Sequence, residues 1–190
     1  MSAAPASSFA VSVDEVTLAR ARAGDEAALE ALFRRFETPV YTLARRLTGS
    51  AHDAEDVLQE TFLEVVRSIA RFRGDGPLAG WIRKVAASKA LMRLRRDGAR
   101  GPHEELSDEL AAPPAAVAGA AERVDLEAAL ALLSEPARAV LWLHDVEGYS
   151  HEEIGALAGR SASFSKSQLA RAHARLRERL AVTPREGPCT

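Results

Sequence analysis

The sequence predicts an all-α protein built from two small helical domains joined by a flexible linker. Apolar residues recur at three- and four-residue spacing over most of the chain, which is the period of a helix with one buried face. Strand-like alternation is absent from the sequence. A segment rich in Ala, Pro, Gly and acidic residues interrupts the pattern and is typical of an exposed linker. The predicted domains therefore span residues 14–97 and 123–182, with the linker at residues 98–122.

Three helices are predicted in the first domain. The first covers Asp25–Thr48, and Pro39 inside it is expected to kink or restart the helix. The second covers Asp53–Phe72, and the third covers Leu78–Arg96 after a turn signalled by glycines and a proline at residues 74–77. The predicted inner faces of the first two helices comprise Leu29, Leu32, Phe33, Phe36, Val40, Leu43 and Leu47, and then Val57, Leu58, Phe62, Val65, Val66 and Ile69.

Four helices are predicted in the second domain. They cover Val124–Leu133, Pro136–Asp145, His151–Ala158 and Ala162–Leu180. Proline in the first turn suits the second of these helices, and Gly159 suits the end of the third. A short helix, a glycine turn and a longer basic helix form the layout of a helix-turn-helix, whose second helix enters the DNA major groove.

Charge is segregated along the chain, although the net charge of its 190 residues is only −2. Residues 53–64 contain five acids and no base, whereas residues 83–96 contain six bases and no acid. Residues 166–179 contain five bases and one acid. Any one of these segments alone is compatible with an ordinary solvated helix face. Three of them in a short chain indicate faces that meet different partners.

Several function classes find no support in the sequence. There is no apolar run of the roughly 20 residues that a membrane span needs, and no secretory signal, so we expect a cytoplasmic protein without stable membrane insertion. The lone Cys189 excludes an intramolecular disulfide and a cysteine-rich zinc site. The five histidines are scattered, and His151 begins a segment that lacks the second histidine of a zinc protease motif. We therefore predict no catalytic residues, no cofactor and no metal.

The last predicted helix carries side chains suited to DNA. Lys and Arg neutralise phosphates or bind guanine, and Gln pairs with the edge of adenine. Lys166, Gln168, Arg171 and Arg175 are predicted to face outward on this helix. Serines near the amino end of the helix add short hydrogen-bond donors, and that end itself favours phosphate.

The second domain resembles region 4 of the extracytoplasmic-function (ECF) sigma factors. The resemblance covers residues 132–141, continues through Glu147-Gly148-Tyr149-Ser150-His151-Glu152-Glu153-Ile154 and extends over residues 166–177. In that family this domain binds the upstream (−35) promoter element and docks on the polymerase flap. The resemblance implies −35 contacts by Ser163, Ser165, Lys166, Ser167, Gln168, Arg171 and Arg175. The sequence departs from the family pattern at Arg160 and Phe164, and Phe164 is predicted to be a core residue rather than a DNA contact.

The first domain carries an independent resemblance. The segment Asp53-Ala54-Glu55-Asp56-Val57-Leu58-Gln59-Glu60 resembles the family's region 2.2. Three of its carboxylates recur at intervals of three and four and therefore share one side of a helix. In the family this ledge grips the clamp helices of the largest polymerase subunit, which implies polymerase contacts by Asp53, Asp56, Leu58, Gln59 and Glu60. An ordinary solvated acidic face is the alternative.

Residues 77–96 are similar to regions 2.3 and 2.4 of the same family. Promoter opening needs a cationic surface for the displaced strand and pockets for unstacked bases. The resemblance implies downstream (−10) contacts by Trp81, Arg83, Lys84, Ser88, Lys89 and Arg93. Trp81 is either a stacking platform or a core residue, and the core role is the commoner one. Ser88 and Met92 depart from the family's usual asparagine and aspartate.

Together these resemblances imply an alternative-type sigma factor that binds core RNA polymerase and directs promoter recognition, DNA opening and transcription initiation. Its implied partners are core polymerase, promoter DNA and a cognate anti-sigma factor. Two other readings are a stand-alone helix-turn-helix regulator and a sigma mimic that titrates an anti-sigma factor. The regulator has no use for the acidic ledge, and the mimic has no use for a basic recognition helix.

Overall fold

A computed structural model of the chain describes residues 9–100 and 128–182, with side chains described for residues 9–96 and 128–178. Every regular element in these ranges is helical. None of these helices is long and apolar enough to cross a membrane. The helices form two bundles, which we call the N-terminal and the C-terminal bundle.

The N-terminal bundle contains four α-helices. They are α1 (Glu15–Arg22), α2 (Glu26–Thr48), α3 (Ala51–Ser68) and α4 (Leu78–Arg100), with a short 3₁₀ turn at Ile69–Arg71 after α3. Helices α2, α3 and α4 pack against one another, and α1 packs against α2. The predicted helix of residues 53–72 therefore starts slightly earlier and ends in a 3₁₀ turn, and α1 was not predicted.

Polar caps fix where the central helices begin and end. The Asp25 side chain accepts a hydrogen bond from the Ala28 N–H at the start of α2, and Ser50 caps α3 in the same way. Between the two helices, Gly49 has a φ of +77°, a left-handed conformation that glycine adopts without strain. Only Gly49 and Ser50 separate α2 from α3, so the two helices turn back on each other at once.

Helix α2 is continuous through Pro39, so of the two predicted effects of this proline the restart does not occur. Phe36 and Val40 on either side are fully buried. Packing of this apolar face holds the helix together, because tertiary burial contributes more to helix stability than local propensity does.

The C-terminal bundle begins in the described part with a helical turn at residues 128–131. The predicted 124–133 helix therefore ends two residues early, and its first four residues lie outside the described residues. It continues with α5 (Glu135–Leu141), a π-helical segment (Trp142–Val146), α6 (His151–Ala158) and α7 (Ala162–Val182). The predicted helix of residues 136–145 thus changes geometry after Leu141. The prediction for α6 is confirmed at both ends.

A capping box and a glycine define α6. The Ser150 hydroxyl accepts a hydrogen bond from the Glu153 N–H, and the Glu153 carboxylate accepts one from the Ser150 N–H at 2.8 Å. Gly159 ends the helix with a φ of +62°. Gly155, inside α6, lies where the turn and α7 cross it, because a Cβ there would stand 2.9 Å from the Ser161 carbonyl carbon. A small residue at this crossing lets the two helices of the helix-turn-helix approach.

The two bundles also touch each other. Helix α4 contacts α5 and α6, and α2 contacts α5. The linker predicted at residues 98–122 lies outside the described residues from 101 onward.

We predict that Gly155→Ala destabilises the protein, although Ala favours a helix by about 1 kcal/mol over Gly. The added methyl group meets backbone rather than a movable side chain, and overpacking of this kind costs about 1–3 kcal/mol. The measurement is the midpoint of denaturant unfolding. Gly80→Ala in α4 is the matched control, since its Cβ would meet nothing nearer than Pro77 Cγ at 3.9 Å. Equal stabilisation by both substitutions would contradict the proposed crossing.

We predict that the contribution of Glu153 to stability depends on pH. The hydrogen bond from the Ser150 N–H is the main cause that lowers the pKa of Glu153 below its ordinary value of 4.5. Its stabilisation is therefore fully present above that value and is lost as the pH falls through the lowered pKa. Glu153→Ala should reduce stability at about pH 7, and this effect should shrink as the pH falls below the ordinary value and through the lowered pKa of Glu153, as measured by chemical unfolding. Glu152→Ala, which removes an exposed carboxylate of the same turn and leaves the capping box intact, is the matched control. An effect of Glu153→Ala that does not change with pH would contradict the prediction.

Candidate nucleic-acid interface

The carboxylates predicted to form an acidic ledge on α3 lie at the seam between α3 and α4. Arg93 of α4 pairs with both Asp53 and Asp56, the latter at 2.8 Å between Nη1 and Oδ2. Arg96 pairs with Glu60 at 3.3 Å. These three carboxylates are 25%, 34% and 35% exposed, so each keeps part of its surface in contact with water.

A fourth pair extends the seam, because Lys89 lies 3.2 Å from Glu64. The acidic and basic segments are therefore separated in the sequence and paired in the fold. Pairs that are this exposed contribute only about 0–1 kcal/mol each, so their main effect is on charge distribution. The ledge is a line of partly neutralised carboxylates with their outer edges still accessible.

The outer surface of α3 beside the seam is partly apolar. Gln59 is exposed, and Leu63 and Val66 follow it at helical spacing with 56% and 52% of their surfaces exposed. Phe33 of α2 is 37% exposed and packs edge-on against Phe62, with the ring centroids 4.8 Å apart. We call Phe33, Gln59, Leu63 and Val66 the α2–α3 patch.

The α2–α3 patch corrects two sequence predictions, since Phe33 and Val66 were placed on inner faces. Helices α2 and α3 have more apolar residues than the bundle interior can cover, so the outermost ones remain at the surface. Leu63 was not assigned any role. Its position could have indicated this exposure. Leu63 lies one helical turn after Gln59, and other residues of the same helix occupy the core-facing positions. Leu58, predicted to contact polymerase, is half-buried against the core.

The residues predicted to contact the −10 element lie along α4. Trp81 is half-buried, and its ring lies 5.3 Å from that of Phe72, so it packs against the core as expected. Lys84 is exposed, whereas Lys89 and Arg93 belong to the ion pairs of the α3–α4 seam. The Ser88 hydroxyl lies 4.0 Å from the Met92 sulfur.

A groove of about 310 Å³ runs along this side of α4. Six of its lining residues belong to the N-terminal bundle and one, Leu157, belongs to α6 of the C-terminal bundle. The lining residues are Glu64, Trp81, Lys84, Val85, Ser88, Lys89 and Leu157. The fold therefore brings together Trp81, Lys84, Ser88 and Lys89, four of the predicted −10 residues, in one concave surface.

Arg83, another predicted −10 residue, points at the C-terminal bundle. Its Nη1 lies 3.3 Å from both the backbone oxygen and the Oε2 atom of Glu147. Its guanidinium carbon lies 5.1 Å from the centre of the Tyr149 ring. Burial is the main cause that raises the pKa of the Tyr149 hydroxyl, and the neighbouring Arg83 opposes it.

The outer face of α7 carries the predicted upstream-element residues Ser163, Lys166, Ser167, Arg171 and Arg175, all of which are exposed. The Ser167 hydroxyl donates to the Phe164 carbonyl, and Arg175 pairs with Glu178 at 3.2 Å. Phe164 is half-buried against the core, as expected, with the Arg160 guanidinium 6.0 Å from its ring centre.

Two residues predicted to face DNA are turned inward instead. Ser165 is fully buried, and its hydroxyl lies 3.0 Å from His151 Nδ1 on α6. Gln168 is 9% exposed. Both residues fall on the side of α7 that also carries Leu169 and Ala172, which are buried. The prediction that Gln168 faces outward is therefore wrong, and Ser165 lies in the packing between α6 and α7.

Histidine side chains connect the π-helical segment with α6 and α7. The rings of His144 and His151 stack with centroids 4.5 Å apart, and Asp145 lies 2.7 Å from both His144 Nδ1 and His173 Nε2. Burial acts to raise the pKa of Asp145, but the hydrogen bonds with the two histidines outweigh it and the pKa is lowered. Within residues 9–100 and 128–182, no group of three or more His, Cys, Asp or Glu side chains is arranged to hold a metal ion.

Two family models match the chain. The family described as Sigma-70 region 2 matches residues 32–100, and the family described as Sigma-70, region 4 matches residues 123–176. These matches fall on the N-terminal and the C-terminal bundle, respectively.

Curated relatives agree with the family matches. The ECF RNA polymerase sigma factor SigE of Mycolicibacterium smegmatis is 37% identical over 168 residues, which cover 83% of this chain and 65% of SigE. The ECF RNA polymerase sigma factor SigM of Mycobacterium tuberculosis is 33% identical over 168 residues, covering 86% of this chain and 82% of SigM. RNA polymerase sigma factor CarQ of Myxococcus xanthus is 36% identical and is covered over 94% of its length.

Solved structures share the fold. The sigma factor RpoE, in complex with the anti-sigma factor NepR from Bartonella quintana, superposes with a TM-score of 0.59 at 24% identity, covering 82% of this chain and 98% of RpoE. CnrH, in complex with the cytosolic domain of CnrY, gives a TM-score of 0.53 at 24% identity, covering 90% of this chain and 99% of CnrH.

Both conserved regions of the family are therefore present, in the family's order and on the expected helices. The chain belongs to the ECF sigma factors of the sigma-70 family, which direct transcription initiation by RNA polymerase.

Proposed function

We propose a division of labour for this sigma factor: α3 docks on core RNA polymerase, α4 holds the displaced promoter strand, and α7 contacts the upstream element. In this proposal residues 14–97 perform the first two tasks and residues 123–182 perform the third. The clamp helices and the flap of polymerase are the expected docking sites. The protein acts in the cytoplasm as a non-catalytic subunit.

The exposed face of α7 is the observation that carries the proposal. Lys166, Arg171 and Arg175 project from the second helix of a helix-turn-helix, with Ser163 and Ser167 beside them. Such a helix fits the major groove, where cations meet phosphates or guanine. Because Gln168 is buried, we assign base recognition to the exposed arginines, to Lys166 and to the exposed serines of α7.

Polymerase docking rests on the α2–α3 patch and the neighbouring carboxylates. Exposed Leu63 and Val66 provide apolar area, and the accessible edges of Asp56 and Glu60 provide charge. An apolar centre with a polar rim is the usual anatomy of a protein interface. We therefore extend the proposed docking surface beyond the ledge to Phe33, Leu63 and Val66.

An inhibitor of the anti-sigma class is part of the proposal. One solved relative with this fold, RpoE, was captured with the anti-sigma factor NepR. We propose that this chain is likewise restrained by a cognate anti-sigma factor.

We predict that the double substitution Asp56→Asn and Glu60→Gln weakens binding to core polymerase by about tenfold or more, since loss of interfacial charge partners typically costs a few kcal/mol. Both replacements keep the shape of the side chain, so helicity measured by circular dichroism should stay unchanged. Binding is measured by titration of a fluorescently labelled chain with core polymerase.

Glu15→Gln is the matched control for this prediction. Glu15 is also an exposed glutamate of the N-terminal bundle, but it lies on α1 and not on the proposed surface of α2 and α3. The control should bind as the wild type does. Unchanged binding by the double variant would remove the docking assignment and favour a stand-alone DNA-binding regulator.

We predict that Arg171→Ala weakens binding of the polymerase holoenzyme to upstream-element DNA and lowers the salt dependence of that binding by about one unit of slope if a phosphate contact is lost. The measurement is binding at several salt concentrations. Arg20→Ala serves as control, because Arg20 is an exposed arginine of α1 paired with Asp25. An unaltered affinity and slope for Arg171→Ala would count against the role of α7.

A further inference from the structure

Two polar contacts connect α7, the proposed upstream-element helix, to the rest of the C-terminal bundle. Near the start of α7, the fully buried Ser165 hydroxyl lies 3.0 Å from His151 Nδ1 on α6. Eight residues later, His173 Nε2 lies 2.7 Å from the Asp145 carboxylate on the π-helical segment. The two contacts therefore tie α7 to two different elements.

The two contacts belong to one connected set of side chains. The His144 ring stacks on the His151 ring with the centroids 4.5 Å apart, and His144 Nδ1 lies 2.7 Å from Asp145. The contacts run in the order Ser165, His151, His144, Asp145 and His173. We call these five residues the histidine network. Because its first and last members both lie on α7, the network holds that helix at two points.

The contacts at Asp145 have a defined direction. An ionised carboxylate only accepts hydrogen bonds, so His144 donates from Nδ1 and His173 donates from Nε2. Hydrogen bonds weaken steeply when their geometry is distorted. The distance and the angle between the π-helical segment and α7 are therefore specified at this point.

Apolar packing by itself specifies the position of α7 less sharply. The inner face of the helix carries the buried Leu169 and Ala172, and the attraction between apolar groups is nondirectional. Ser165 and His173, by contrast, make directional contacts at positions that are separated by about 12 Å along a helix. Two such contacts fix the rotation of α7 as well as its place along its own axis.

The exposed DNA-facing residues of α7 lie close to these two contacts. Lys166, Ser167 and Arg171 fall between Ser165 and His173 in the sequence. Base edges are recognised by hydrogen bonds of fixed geometry, so a small shift of α7 would disturb several of them at once. Attraction to phosphates is independent of DNA sequence and tolerates such a shift.

We propose that the histidine network positions α7 for sequence-specific reading of the upstream element, with His151, Asp145 and His173 as positioning residues. This inference rests on the proposed function, because it takes α7 to be the upstream-element helix. It also gives Ser165 a role, as the α7 partner of His151 rather than as a DNA contact. Asp145 and His173 are 37% and 44% exposed, and pairs this exposed add little stability. Loss of the pair should therefore change recognition more than folding.

The test compares specific with nonspecific binding by the reconstituted polymerase holoenzyme. The specific probe is a duplex that the wild-type holoenzyme selects from random-sequence DNA, and the nonspecific probe is the same duplex with its upstream element scrambled. Asp145→Ala, which removes the acceptor of both histidines, should bind the selected duplex about tenfold more weakly, the size of one lost base contact. Glu152→Ala is the matched control, because it removes one exposed carboxylate from α6. The two variants should bind the scrambled duplex equally.

His173→Gln is the conservative variant, because the amide nitrogen of glutamine can donate in place of Nε2. It should retain specific binding, whereas His173→Ala should lose about as much as Asp145→Ala does. The double variant Asp145→Ala and His173→Ala should lose no more than Asp145→Ala alone, since the two residues share one contact. A His173→Gln variant as weak as His173→Ala would refute the hydrogen-bonding role.

Wild-type affinity for the selected duplex in a folded Asp145→Ala and Ser165→Ala pair would overturn the inference and leave the proposed function standing. An equal loss on both duplexes would also overturn it, because lost phosphate contacts produce that pattern and altered placement of α7 does not. A wild-type holoenzyme that binds both duplexes alike would instead remove the proposed role of α7, and this inference with it. Helicity measured by circular dichroism establishes that each variant is folded.

Discussion

Four basic residues of α4 are paired within the protein on two sides, and this constraint governs the rest of the structure. Arg93, Arg96 and Lys89 meet the carboxylates of α3, while Arg83 meets Glu147 of the C-terminal bundle. Helix α4 therefore forms ion pairs both with α3 in the N-terminal bundle and with Glu147 in the C-terminal bundle. Its pairs with Asp53, Asp56 and Glu60 keep part of their surface in water, so exchange of one of these partners for another is possible without a large desolvation cost.

This arrangement connects the two tasks of a sigma factor. Asp53 and Asp56, which are proposed to meet polymerase, pair with Arg93, which is proposed to meet DNA. A polymerase that binds these two carboxylates would change the electrostatic environment of Arg93 directly. Docking and strand binding are then coupled through the seam between α3 and α4 rather than through a distant conformational change.

Capping residues and the spacing of apolar residues, which act over a few positions of the sequence, predicted much of the fold. The boundaries of α6 follow from Ser150, Glu153 and Gly159, each of which acts within a few residues of its own position. The family's motifs likewise placed the helix-turn-helix and the acidic ledge, because their spacing is helical. Local periodicity also predicted that α2 is a helix, and the helix continues through Pro39, next to the buried Phe36 and Val40.

Contacts between distant parts of the chain could not be predicted in this way. Ser165 and Gln168 are buried because α6 and α5 cover that side of α7, and nothing in their own segment shows where those helices lie. Arg83 and Glu147 are 64 residues apart, and neither carries a local signal for the other. Exposure of Leu63 and Val66 depends on how much apolar surface the remaining helices cover.

Photocrosslinking from position 84 tests the central claim most directly. A photoreactive amino acid in place of the exposed Lys84, at the groove closed by Leu157, reports what occupies this side of α4. In the free chain it should crosslink to the C-terminal bundle, and in a promoter complex with core polymerase it should crosslink to the displaced DNA strand. A crosslink to the C-terminal bundle that persists unchanged in the promoter complex, with no DNA crosslink, would contradict the account.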